Sequence, residues 1–83
     1  MDYIFKRGRQ LLSVRAEDYA HALTLARQDA ATNDAEPVGF YSSAENCAYV
    51  FSQEDPGVAL SRIRRVCNLV KSHTFDRIES IEI

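Results

Sequence analysis

The sequence predicts an α+β fold: one antiparallel sheet with two helices packed on one face, in the order ββαββαβ. Three observations predict it. The hydrophobic period changes from about two to about 3.6 residues after Ala16. It changes again after Ser52, where Asp55-Pro56 opens a helix. Between these points, polar turn residues separate short runs of aromatic and β-branched residues.

Tyr3-Ile4-Phe5 is the first such run and Leu11 to Ala16 the second. Lys6-Arg7-Gly8-Arg9 lies between them, and Gly8 supplies the positive φ of a tight hairpin. Leu12, Val14 and Ala16 share one face of the second strand, with Ser13 and Arg15 on the other. Tyr19, Ala22, Leu23, Ala26 and Ala30 then recur at helical spacing. Glu17 and Asp18 put negative charge at the positive end of that helix, and Pro37 forbids its continuation. Val38 to Tyr41 and Cys47 to Phe51 read as strands around a polar turn, Ser42 to Asn46. In the second helix Ala59, Leu60, Ile63, Val66, Cys67 and Val70 form one apolar stripe, expected to end near His73. Ile78, Ile81 and Ile83 mark a last strand. Without its first strand the order is βαββαβ, the ferredoxin-like order.

A chain of 83 residues is expected to form one domain, 1–83, of modest stability, roughly 4 to 12 kcal/mol. Its 46% apolar and 27% charged residues argue against disorder, and no apolar run approaches a bilayer span. With no leader pattern and only Cys47 and Cys67, a cytoplasmic chain with reduced thiols is expected. The Met1 start and a strand running to Ile83 suggest a complete small gene product.

No chemistry-bearing motif stands out. His21, Cys47, Cys67 and His73 fall on different elements without ligand spacing, so neither a metal nor a cofactor is expected. Neither thiol has a histidine tied to it by pattern, and no phosphate loop or carboxylate pair is marked out. A non-enzymatic protein is expected.

Cys47-Ala48-Tyr49-Val50-Phe51-Ser52, followed by Glu54-Asp55-Pro56 and Ala59, resembles the third strand and second helix of RNA-recognition motifs. The resemblance implies bases stacked on Tyr49 and Phe51. It departs from that family where no basic residue and glycine open the strand, and where Leu11 to Ala16 lacks a matching aromatic.

Positive charge collects in two places despite a net charge of −2. Lys6, Arg7 and Arg9 crowd the first hairpin, and Arg62, Arg64 and Arg65 lie on the second helix with Lys71 beyond. Arg62 and Arg65 are expected to project away from the apolar stripe beside Leu69 and Val58, an arginine-rimmed apolar patch of the kind found at protein interfaces. Lys6, Arg7, Arg9, Arg62, Arg65 and Leu69 are therefore the candidate partner-binding residues. Asp29, Asp34 and Glu36 offer an acidic alternative.

The leading expectation is a small protein-binding module, an inhibitor or adaptor of a larger machine. Phage-encoded inhibitors of bacterial defence, anti-CRISPR proteins among them, share this size and lack of motifs. The alternatives are a weak RNA or DNA binder using the arginine clusters, and a homo-oligomer joined through an exposed strand edge such as Tyr3 to Phe5.

Overall fold

A computed structural model of the chain describes residues 1–29 and 35–82. Its elements are β1 (Asp2–Arg7), β2 (Gln10–Arg15), α1 (Tyr19–Asp29), β3 (Glu36–Ser42), β4 (Cys47–Phe51), α2 (Pro56–Val66) and β5 (Arg77–Ile81). Gly8 turns the first hairpin at φ +59°. The strands form one mixed sheet in the spatial order β2-β1-β3-β4-β5. All neighbours are antiparallel except β4 and β5, which run parallel. The expected positions of Ala30, Asp34 and Ile83 lie outside the described residues.

Two features of the expected fold are corrected. The sheet is mixed rather than antiparallel, and the helices lie on opposite faces. Both follow from where the first strand goes. In a ferredoxin-like pairing the penultimate strand returns between the two strands joined by the first crossover. Here β1 already fills the place between β2 and β3. Hence β4 pairs with the outer side of β3, and β5 adds beyond β4. Both crossovers, β2-α1-β3 and β4-α2-β5, now move the same way across the sheet; each joins a parallel pair, and the two pairs run in opposite senses. Right-handed connections then require the helices to take opposite faces.

The packing agrees. Tyr3, Phe5, Phe40 and Phe51 form an aromatic layer with Ala22 and Ala26 of α1. Ile4, Val38, Ala48 and Val50 form an aliphatic layer with Ala59 and Ile63 of α2. Small residues on α1 let the helix sit close on large rings; the pairs Tyr3–Phe40 and Tyr19–Phe51 have centroids 4.6 and 5.0 Å apart.

Strand β3 feeds both layers because it is bulged. Ile4 pairs with Gly39 but Phe5 pairs with Pro37, so Val38 is an extra residue and the alternation flips there. Val38 thus faces α2 while Phe40 faces α1. Gly39 is required at this point, since a Cβ would collide with the carbonyl oxygen of Tyr49 on β4.

The helix starts are capped as their sequences imply. Asp18 accepts from the His21 amide at 2.8 Å, and Asp55 from the Val58 amide at 3.1 Å. Asp55→Ala is expected to cost about 1 kcal/mol, read as a lower urea midpoint with an unchanged slope. The second helix ends earlier than expected, at Val66 rather than near His73. Asn68 takes the left-handed conformation at φ 57°, and the Leu69 amide bonds back to the Arg64 carbonyl at 2.7 Å. Asn is one of the few residues that accepts this stop. Val70 is consequently exposed rather than in the stripe.

Candidate partner-binding surface

Asp55 and Pro56 aim α2 across the sheet so that Ala59 and Ile63 are buried and Ser61 and Arg65 face outward. The turn at Asn68 then brings Leu69 back beside the helix. Ser61, Arg64, Arg65, Leu69 and Lys71 line one shallow depression. A second groove, about 540 Å³, lies where α2 approaches β2, lined by Arg9, Gln10, Leu11, Leu12, Arg65 and Val66. Arg65 borders both. The hairpin cluster and the helix cluster therefore meet at this residue, although 56 positions separate Arg9 from Arg65 in sequence.

The six candidate residues divide into three roles. Arg9 and Arg65 are exposed, and Leu69 is half-buried beside Arg65. Arg7 donates to the Gln10 side chain at 3.2 Å across the hairpin turn. Lys6 and Arg62 are held by Glu54, whose side chain is only 8% exposed. Lys6 Nζ lies 2.6 Å from Glu54 Oε1 and 3.5 Å from Glu36, and Arg62 Nη1 lies 3.4 Å from Glu54 Oε2. Arg62 thus does not project freely beside Leu69. It closes an ion triad linking β1, the β4–α2 turn and α2. Glu36 of the acidic alternative belongs to the same network; Asp34 and the side chain of Asp29 lie outside the described residues.

The hydrogen bond to Glu54, reinforced by the charges of Glu54 and Glu36, raises the Lys6 pKa above its usual 10.5 although burial opposes it. A lysine raised on folding contributes stability that is complete below about pH 10.5 and lost as the pH rises through its folded value. Glu54→Gln is expected to cost about 2 kcal/mol at pH 7, by leaving half-buried Arg62 without its carboxylate and Lys6 with only the more distant Glu36. It should also flatten the alkaline loss of stability, measured as melting temperature between about pH 9 and pH 12.

Arg64 serves the scaffold. Its guanidinium lies 5.3 Å from the centre of the Phe75 ring, and Nη2 donates to the His73 carbonyl at 3.1 Å. Below it Asn46, at φ 47°, accepts from Tyr41 at 3.1 Å, contacts His73 Nε2 at 2.9 Å and donates to the Thr74 carbonyl at 3.1 Å. This knot fixes the 67–76 segment that carries Leu69 and Lys71. Nothing local in the sequence joins Asn46 to His73; only the polar turn and the αL tolerance of asparagine mark Asn46.

The aromatic strand is not a free stacking platform. Phe51 is 1% exposed under α1. Tyr49 stacks on Phe40 at 4.4 Å, and its hydroxyl donates to Glu45 with Arg77 alongside. That hydrogen bond to Glu45 raises the Tyr49 pKa. The edge at Tyr3 to Phe5 is likewise unavailable, because β1 lies between β2 and β3.

Cys47 and Cys67 are both free, and burial, then the charge of Asp2, pushes the Cys67 thiol up. Among the described residues no cluster of three or more His, Cys, Asp or Glu side chains is placed to hold a metal, and no helix is long and apolar enough to cross a membrane. The sequence matches no protein-family model, and no curated protein or solved structure matches it.

Proposed function

We propose that this chain is a non-enzymatic protein-binding module, acting as an inhibitor or adaptor of a larger machine in the cytoplasm. One observation carries the proposal: Arg9 and Arg65, both exposed, meet around a groove floored by Leu11, Leu12 and Val66, with Leu69 on the other side of Arg65. Arginine flanking partly exposed aliphatic side chains is the composition of an interface centre. The free thiols suit a reducing compartment. A phage-encoded inhibitor of a bacterial defence system is one role that suits such a module, and it rests on size and the lack of motifs.

A protein partner is favoured over nucleic acid by burial. Phe51 is sealed in the core, and two of the candidate cations, Lys6 and Arg62, are occupied by Glu54. Immobilised wild-type domain should retain a partner from its host that protease removes and nuclease does not. Arg65→Glu and Leu69→Ala should each lower retention about tenfold while the melting temperature stays within a few degrees. Loss of the captured material on nuclease treatment would reject a protein partner. Equal retention by wild type and both variants would reject this surface.

A further inference from the structure

Among the described residues the outer edge of β2 is open, and its free hydrogen-bonding groups can be assigned. The Ala16 amide donates to the Met1 carbonyl at 3.1 Å, and the Met1 ammonium donates to the Ala16 carbonyl at 3.2 Å. Residues 1 and 16 are therefore a mutually bonded pair, and bonded pairs alternate along an antiparallel ladder. Tyr3–Val14, Phe5–Leu12 and Arg7–Gln10 are the next bonded pairs in the register. The amides and carbonyls of Leu11, Ser13 and Arg15 consequently point away from β1. No described strand pairs with them.

The charged side chains of the hairpin turn and of β2 itself are all cationic, and Glu17 and Asp18 follow only beyond the strand's end. From Arg7 to Ala16 the sequence holds Arg7, Arg9 and Arg15 and no acidic residue, in a chain whose net charge is −2. Arg15 meets Asp2 at 3.2 Å, yet its side chain is 86% exposed. Arg65 of α2 adds a further cation, and Leu11, Leu12 and Val66 supply apolar contact along the same groove. A strand laid here gains main-chain bonds from β2, apolar contact from alternate side chains and charge pairing at its ends.

We propose that the β2 edge takes an acidic, extended peptide segment of the partner as an added strand. This rests on the protein-binding function above and names the chemistry of its ligand. A second copy of the chain brings the same arginines against this edge, whereas an acidic strand meets opposite charge there. Single-stranded nucleic acid matches the charge but not the row of main-chain donors and acceptors.

The test uses the whole chain and a blocked octapeptide of alternating Glu and Val as the probe, with hydrogen exchange followed by NMR. The probe should slow exchange at Leu11, Ser13 and Arg15, leaving the already bonded Val14 unchanged. An octapeptide of alternating Lys and Val, and the Glu-Val peptide methylated at every backbone nitrogen, should bind at least about tenfold more weakly. Ser13→Pro removes an outward amide that β1 does not use, so the fold should survive and probe binding should be lost. If Ser13→Pro unfolds the chain, the methylated peptide decides instead. Equal binding of the methylated and unmethylated peptides would overturn the proposal, reducing the contact to charge. So would protection of the three amides that rises with protein concentration before any probe is added, which marks a second copy on the edge. So too would a captured partner that binds Ser13→Pro like wild type but is lost from Arg65→Glu; that result leaves the protein-binding function standing and removes only the strand addition.

Discussion

Ile63→Asp should leave the chain unfolded at room temperature. Ile63 is fully buried in the layer between α2 and the sheet, in a cluster whose other buried members are all aliphatic: Ile4, Val38, Ala48, Val50 and Ala59. A carboxylate there has no partner, and an unpaired buried charge costs several kcal/mol even after relaxation. That cost is comparable to the whole stability expected of a chain this size, roughly 4 to 12 kcal/mol. Loss of the far-ultraviolet dichroism of helix and sheet, together with collapsed amide dispersion, would register it. Because the two helices pack on different faces, Ala26→Asp on α1 should do the same through the aromatic layer, where Ala26 is 1% exposed. Leu23, on the same helix, is only half-buried, and Leu23→Asp should cost less than either. A Leu23→Asp variant as damaged as Ala26→Asp would show that α1 is rotated from the facing described.

Gly39→Ala should be the most damaging conservative change in the sheet. The new methyl would meet the Tyr49 carbonyl oxygen, which is backbone and held in the β3–β4 ladder. Neither strand can yield without breaking pairs that also position Phe40 and Val50. A loss of about 3 kcal/mol is expected, seen as a shift of the urea midpoint. The adjacent Val38→Ala, a plain deletion of buried methyl groups, should cost about 1 to 2 kcal/mol. The reversed order would mean that the bulge tolerates a side chain at 39, and that the close approach of β3 to β4 is not a requirement of the fold.

Those sensitivities separate what was legible in the sequence from what was not. Element order was legible because each element announces itself within a few residues: the alternation through Leu12, Val14 and Ala16, the cap at Asp55, the positive φ at Gly8. The layering was not legible. It depends on β1 entering between β2 and β3, a choice made by long-range pairing that no local pattern encodes. Once made, it turns a one-faced arrangement into a two-faced one through crossover handedness alone. Val38 and Phe40 read as one face of a strand at period two, and only the bulge separates them. The end of α2 was legible in Asn68, a residue suited to the left-handed stop, but the apolar stripe running on to Val70 outweighed it.

The candidate surface shows the same division. Composition located the arginines, and helical spacing put Arg65 outside. It could not show that Glu54, 48 residues from Lys6, withdraws Lys6 and Arg62 from the surface. Nor could it show that the hairpin and the helix meet at Arg65. What remains exposed is a smaller, less basic and more apolar surface than six separate residues suggest, which is why a protein partner is proposed.

Calorimetric titration of the captured partner into wild type and Leu69→Ala, at about 0.05 and 0.5 M salt, tests this most directly. A protein interface predicts that Leu69→Ala weakens binding about tenfold at both salts, with only a shallow salt dependence, since apolar area contributes alongside charge. Binding that falls by about a thousandfold across that range, with Leu69→Ala indistinguishable from wild type, would contradict it and make the surface a phosphate-binding one.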